Sequence, residues 1–317
     1  MATLKDVAKA VGVSNMTVSR YFSEPEKLKK ETRETIQKVV EELNYSPNSV
    51  AQSLVSKRTN IIYVHIAGDI GSLHPFLLKT VQGIGEALGE KGYSMLLRRS
   101  GYVNESCDGI IAMGTTLEEE KKLVKISRRK KVLLFGNNNL FGNWIDINNH
   151  LGSKMITDYV LDKGYKRIGY IAIDNQAQYS VDRLNGFMES MKEHKILVEE
   201  DLVKRVSNHE PDGYEAAGEI LKAEQVDAII CASDILAMGV MRYATEHGIK
   251  VPEDLAVSGF DGLGFENMTF PILTTVEQPT YEAGRELAIR MIHMIENDVD
   301  TGEGSYIEPI LKINGTV

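Results

Sequence analysis

Residues 45–56 read YSPNSVAQSLVS, and they divide the chain into a short helical head and a long body of alternating strands and helices. Pro47 biases Ser46 away from the helical region, and Asn48 is a good N-cap for a short helix through Val50, Ala51, Gln52 and Leu54. Helices below about 12 residues are marginal in water. This one is therefore expected to order only against a partner, which makes the segment a natural switch between the parts it joins.

Upstream, Thr3 can cap a helix whose apolar positions Val7, Ala8 and Val11 recur at helical spacing, with Asp6 placed to complete a capping box. Gly12 supplies a tight turn, Ser14 caps a second helix from Asn15 to about Tyr21, and Val18 faces Val7 and Val13. A third helix is expected over about 30–43, with Ile36, Val39, Val40 and Leu43 as its apolar stripe. Two short helices joined by a glycine turn make a helix-turn-helix. On the helix pattern alone, a protein-binding helical bundle is the alternative.

In a helix-turn-helix the N-terminal part of the second helix enters the major groove of DNA, so Asn15, Met16 and Arg20 would face base edges. Asparagine pairs bidentately with adenine, arginine with guanine, and methionine can touch a thymine methyl. Ser14, Thr17, Ser19 and the amides around the turn would hold phosphates, which positions a protein without reading sequence.

The net charge of -9 is the wrong sign for a DNA binder until it is divided. The first 60 residues carry 10 Lys+Arg against 7 Asp+Glu, or +3, which leaves -12 on the remainder. The head suits a polyanion, and the acidic body is expected to stay off DNA. Cys107 and Cys231 are far apart, as expected of reduced core thiols in a cytoplasmic protein. The first residues, MATLKDVAKA, lack an apolar signal core, and no run is long enough to span a bilayer. The last residues, PILKINGTV, show no heptad tail, so an appended tetramerising coil is not expected.

From Asn60 onward, short apolar runs predict strands over 61–67, 93–98, 109–113, 131–135, 167–173, 228–232 and 255–260. Helices are expected over 76–90, 117–129, 150–163, 183–193, 213–222, 234–247 and 281–297. Such alternation argues for parallel sheets covered on both faces, with ligands at the carboxyl ends of the strands. The GIG within VQGIGEALG (81–89) mimics part of a dinucleotide fingerprint, but it lies inside a helix and follows no strand directly. It reads as helix packing.

LKDVAKAVGVSNMTVSRY (4–21), followed by YSPNSVAQSL (45–54), closely resembles the DNA-binding head and hinge of the LacI/GalR, or lactose-repressor, family of bacterial transcription factors. The body matches through RLNGF (183–187), ASDILAMG (232–239), GIKVPEDLAVSGFDG (248–262) and LTTVEQPTYEAG (273–284), so the resemblance covers nearly the whole chain. It implies a helix-turn-helix domain over 1–44, a hinge helix and linker over 45–59, and an effector-binding and dimerisation domain over 60–317. The last would be a periplasmic-binding-protein-like α/β fold of two Rossmann-like subdomains with parallel sheets. One subdomain spans about 60–148 and 279–308 and the other about 149–277 and 309–317, with crossovers near Asn148, Glu277 to Pro279, and Pro309.

The resemblance further implies a homodimer on a pseudo-palindromic operator in double-stranded DNA, with paired hinge helices in the minor groove and Leu54 as the wedge that kinks the duplex. The DNA-facing set is then Thr3, Ser14, Asn15, Met16, Thr17, Ser19, Arg20, Asn48, Ala51 and Leu54. The sequence departs from the family at Val11, where alanine is usual, and over 98–107 (RRSGYVNESC), which is short by about one helix. The first subdomain is expected to lack a covering helix there or to use a loop.

A neutral polyol is best held by bidentate or charge-assisted hydrogen bonds over an apolar face. Arg183, expected at the start of a helix, can donate a fork into the cleft, and Asp261, after the strand AVSGF, can accept from two hydroxyls. Both match family effector positions, although the two could instead form a structural ion pair. Asn148, Ser233 and Asp234 also match, where relatives often have aspartate for Asn148 and asparagine for Ser233; Asp234 could equally cap the helix it opens. His74 and Phe76 follow the first strand, where the family's loop meets ligand, although His74 could be plain loop surface. Near Asn208, where many relatives place an aromatic platform, the neighbours here are polar.

The expected function is a DNA-binding repressor controlled by a small-molecule effector, most simply a sugar or sugar phosphate. A corepressor mode with a purine or a phosphoprotein partner is the variant. A solute-binding receptor would need an export signal and no basic head. An enzyme would need a phosphate loop, metal cluster or activated nucleophile, and the chain contains no GxxxxGK[ST], HExxH or CxxC. Neither a metal nor a cofactor is expected.

Overall fold

The computed structural model describes residues 2–45, 58–67, 75–99, 106–137, 140, 142–175, 177–223 and 226–317. Contacts divide the chain into two compact units, Met1–Asn60 and Ile61–Val317.

The first unit holds α1 (Leu4–Val11), α2 (Asn15–Ser23) and α3 (Lys30–Glu42). Thr3 and Asp6 form a reciprocal capping box at α1, and Gly12 ends that helix in the left-handed region at φ 77°. Ser14 Oγ accepts from the Thr17 amide at 3.1 Å and so starts α2. Val7, Ala8, Val18 and Ile36 are buried, and Val11, Val13, Phe22, Val39 and Val40 pack around them. Leu43, expected in the stripe, is the C-cap of α3 and stands exposed.

The second unit contains a six-stranded sheet built from β1 (Ile61–Ile66), β2 (Ser94–Arg99), β3 (Gly109–Met113), β4 (Lys131–Phe135), β5 (Trp144–Ile147) and β11 (Gly304–Ile307). Its order is β11-β5-β4-β3-β1-β2, and every pairing is parallel. The helices α4 (Pro75–Glu90), α5 (Leu117–Ser127) and α10 (Thr280–Glu296) cover it. Among the described residues no helix lies between β2 and β3; 100–105, the middle of the shortened stretch, fall outside them.

A second parallel sheet has the order β7-β6-β8-β9, from β6 (Ile168–Ile173), β7 (Val203–Val206), β8 (Ala228–Cys231) and β9 (Ala256–Ser258). An antiparallel pair, β10 (Thr275–Glu277) with β12 (Ile310–Lys312), continues it through the bridges Ser258 to Thr274 and Asp261 to Glu277. The helices here are α6 (Asn149–Asp162), α7 (Gln178–Glu193), α8 (Glu210–Ala223) and α9 (Asp234–Glu246). The chain passes between the two assemblies from β5 into α6, from β10 into α10, and from β11 into β12.

Two differences from the sequence reading have simple causes. β5, β7, β10, β11 and β12 are three or four residues long, too short to show an alternation. Helix α7 begins at Gln178 rather than at 183, because its first turn is polar and lacks a side-chain cap, so Arg183 sits in the second turn.

The three helix pairs that line the sheets close at glycines. A Cβ on Gly83 in α4 would stand 2.1 Å from the Tyr281 carbonyl oxygen of α10, and one on Gly284 would stand 2.2 Å from that of Thr80. Gly186 meets the His150 carbonyl in the α6–α7 pair in the same way, and Gly239 meets Glu210 in the α8–α9 pair. The GIG motif is thus a packing device. Replacing Gly83 by alanine is expected to lower stability by about 1–3 kcal/mol, because the helices must part. Gly89→Ala, where a Cβ meets nothing within 4 Å, is expected to raise it by up to about 1 kcal/mol. Denaturant midpoints of the two variants would check both signs.

Candidate functional site

In the first unit, the 3.6-residue period of α2 sorts its residues. Val18 is fully buried, whereas Asn15, Met16, Ser19 and Arg20 are exposed and share one side of the helix. Met16 is 70% exposed, unusual for a methionine with no packing duty. Arg20 reaches back to Glu24 at 4.0 Å, an exposed pair that a stronger partner would displace at little cost. The hydroxyls of Thr3, Ser14 and Thr17 are engaged in the caps: Thr3 donates to Asp6 at 2.7 Å, and those of Ser14 and Thr17 lie 2.9 Å apart. Thr17 is half-buried and lies off the exposed arc. The hinge positions Asn48, Ala51 and Leu54 lie outside the described residues, as does His74.

In the second unit, Arg183 is the centre of a network at the carboxyl ends of the strands. It is 3% exposed. Nε donates to Asn149 Oδ1 at 2.9 Å, and Nη1 donates to the Ala232 carbonyl at 2.6 Å and to Asp261 Oδ1 at 3.1 Å. The guanidinium lies 3.8 Å from the Phe260 ring centroid, with Tyr179 at 5.2 Å on another side. Asp261 adopts φ 133°, a conformation side chains rarely occupy, and is fixed there by its backbone bonds to Val276 and Gln278. Gln278 Nε2 also donates to Asp261 Oδ1, at 2.6 Å.

Ser233 and Asp234 both have partners within the fold. Both are fully buried. Ser233, not Asp234, caps α9 through Leu236 N at 3.2 Å, and its hydroxyl donates to Asn208 at 2.5 Å. Asp234 accepts from Gly262 N at 2.8 Å and Thr275 Oγ1 at 2.5 Å, so its oxygens hold the turn after β9. Burial, with the Asp261 charge beside it, pushes its carboxyl up to about 7. Asn148 caps α6 through Leu151 N at 3.0 Å and is half-buried. Phe76 stacks on Phe135 with centroids 5.3 Å apart and belongs to the core of the first assembly.

Three contributors were not foreseen: Asn149, Gln278 and Asp146. Asp146 is buried at the end of β5, where its oxygens accept from Asn137 N at 2.9 Å and Ile147 N at 2.8 Å. Burial, reinforced by the nearby Asp182, pushes it up to about 6 against those two bonds and Arg183. A charged residue inside the apolar run WIDI was the available signal for it. Among the described residues no cluster of histidine, cysteine and carboxylates could hold a metal, and no helix is long and apolar enough to cross a membrane.

Residues 3–48 match the model of bacterial regulatory proteins of the lacI family, and residues 157–316 match that of a periplasmic binding protein-like domain. The chain is 33% identical over 315 residues to the uncharacterised HTH-type transcriptional regulator YvdE of Bacillus subtilis, covering 99% of this chain and 98% of that protein. It is similar to the structure of the transcriptional regulator CelR in complex with cellobiose, with a TM-score of 0.74 and 26% identity over 100% of both chains. The fold is also that of the lac repressor dimer bound to operator and the anti-inducer ONPF, with a TM-score of 0.82 and 22% identity over 99% of this chain and 98% of that one. The chain belongs to the lacI family of bacterial regulatory proteins, which are DNA-binding transcriptional regulators and not enzymes.

Proposed function

We propose that this chain is a dimeric repressor whose hold on a specific operator is set by an uncharged sugar bound beside Arg183 and Asp261. The observation that carries the reading is Gln278. It lies in the passage from β10 to α10 and donates to the same Asp261 oxygen that Arg183 engages. A ligand that competes for that oxygen therefore acts on a strand linking the two assemblies. Coupling of about 1–3 kcal/mol per effector is enough to change operator affinity from several-fold to over a hundredfold.

The charge of the crevice supports the ligand class. Asp146, Asp182 and Asp261 stand near Arg183, whose Nε and Nη1 already have partners. Carboxylates accept from hydroxyls and repel phosphate, so a neutral polyhydroxy compound fits better than a phosphorylated one. The CelR structure similar to this one contains cellobiose.

A dimer surface on the body is supported by Phe270, 95% exposed, and Met268, 68% exposed, next to a depression lined by Met238, Met241 and Arg242. Large apolar side chains held in water beside a recess suit a partner surface. The operator-reading residues would be Asn15, Met16 and Arg20, with Leu54 as the minor-groove wedge.

Selection of bound sequences from random duplex DNA is expected to recover a pseudo-palindrome. Arg20→Ala should relax preference at one base pair per half-site by about 1–3 kcal/mol, and Leu54→Ala should weaken binding. Recovery of no motif would sink the regulator reading. Neutral mono- and disaccharides are expected to raise the melting temperature of the protein and release the operator, with Arg183→Lys abolishing the response while operator binding persists; response to a sugar phosphate or purine alone would overturn the ligand class. Phe270→Asp is expected to shift the protein toward monomer in sedimentation and to lower operator affinity.

A further inference from the structure

Helix α5 carries a charge pattern that the acidic balance of the body does not prepare for. Lys121, Lys122, Lys125, Arg128 and Arg129 are all exposed. At about 100° per residue they fall within an arc of roughly 120°, at positions i, i+1, i+4, i+7 and i+8. Arg128 continues the helical backbone at φ -66° and ψ -16°. The opposite side of the helix is apolar, with Leu123 buried and Val124 and Ile126 packed in the same cluster. Glu118 lies on the cationic arc at its far, N-terminal end.

Among the described residues none of the five cations is held in an ion pair. The two that follow are tied down: Lys130 donates to the Cys107 carbonyl at 2.8 Å, and Lys131 pairs with Asp298 at 3.0 Å. Cations in the last turn of a helix complement its dipole, but that effect fades within one turn. The stripe runs from Lys121 to Arg129, about two turns.

Its place in the sheet is informative. All six strands are parallel, so their N-terminal ends share one edge, and α5 returns the chain to that edge at Lys131. The register aligns Ile62 with Gly109 and Gly109 with Lys131. The basic end of α5 is therefore two strand spacings, roughly 10 Å, from the start of β1. β1 is where the chain arrives from the first unit.

We propose that this stripe is a second DNA contact, a sequence-independent phosphate-binding surface on the body that engages the duplex backbone while the head reads the operator. It rests on the regulator reading above. Duplex DNA is the polyanion that a regulator of this family binds, its charge is complementary to the stripe, and each cation placed on a phosphate releases a condensed counterion.

The test uses the full-length protein and the operator recovered by selection, extended with flanking duplex. A variant carrying K121Q, K122Q, K125Q, R128Q and R129Q is compared with wild type and with a control carrying K163Q, K192Q, K195Q, K222Q and K250Q. The control loses the same charge from exposed sites elsewhere on the body. The slope of log Kobs against log salt is expected to be shallower by roughly 2 or more for the stripe variant, at about 0.9 per phosphate, and unchanged for the control. Base preferences should be the same in all three proteins. Equal slopes in all three, or equal flattening in stripe variant and control, would overturn the proposal, the second by showing a bulk charge effect. Should the five-fold variant fail to fold, R128Q with R129Q alone is expected to flatten the slope by about 1 to 2. If selection yields no operator, the regulator reading fails and this inference with it; an operator with unchanged slopes removes this inference alone.

Discussion

A buried guanidinium is the constraint around which the body is arranged. Arg183 is taken out of water, and a charge so placed is tolerable only if its donors and its face are matched. Three elements supply the match: Asn149 opens α6, Ala232 ends the run after β8, and Asp261 follows β9. Phe260 provides the flat surface beneath. Removing one partner would leave an uncompensated charge, at a cost of about 3–5 kcal/mol. Asp261 accepts a strained backbone to take part, and Asp234 beneath it holds the turn. Because burial and the Asp261 charge raise the Asp234 carboxyl to about 7, that support is strongest at low pH and weakens as pH rises through 7.

The same network explains how a local event could become a large motion. The helix pairs α4–α10, α6–α7 and α8–α9 are closed by glycines to backbone contact, and such packing leaves little room for gradual deformation. Each assembly therefore tends to move as a plate, with change concentrated where the chain passes between them. Gln278 occupies one of these passages and shares Asp261 with Arg183. On the proposed reading, a ligand hydroxyl at that oxygen would alter one hydrogen bond within the plate and another at its edge, which is how a small perturbation can be converted into a choice between packings.

The legible parts of the chain were those set by local rules. The capping box at Thr3, the turn at Gly12 and the cap at Ser14 are encoded within four residues each, and the parallel strands β1, β3, β4, β6 and β8 are continuous apolar runs. What sequence could not show depends on distant partners. β10 and β12 are strands because each pairs with the other, with partners 33 to 37 positions apart, from Glu277 with Ile310 to Thr275 with Lys312. Arg183 and Asp261 were identifiable as a pair of opposite charges at strand ends, but Asn149 and Gln278 have no local signature. Of the two readings open for Asp234, the cap falls to Ser233 one residue earlier, which has the extended backbone that capping requires.

Net charge is coarse in a different way, since a sum over the body conceals the stripe on α5. Long-range and contact electrostatics act on different scales. At distances beyond the Debye length, about 8 Å at physiological ionic strength, a polyanion is screened from individual side chains and meets at most the average charge of the body, which is negative. Within that length it meets particular residues, here five exposed cations on one helix face. On the proposed reading, an acidic body with a local basic stripe would discourage DNA that approaches it anywhere else and reward only a duplex laid along α5. Specific binding would then gain affinity from phosphate contacts without a matching gain in non-specific binding by the whole surface, and the ratio between the two decides how a regulator distributes itself over a genome.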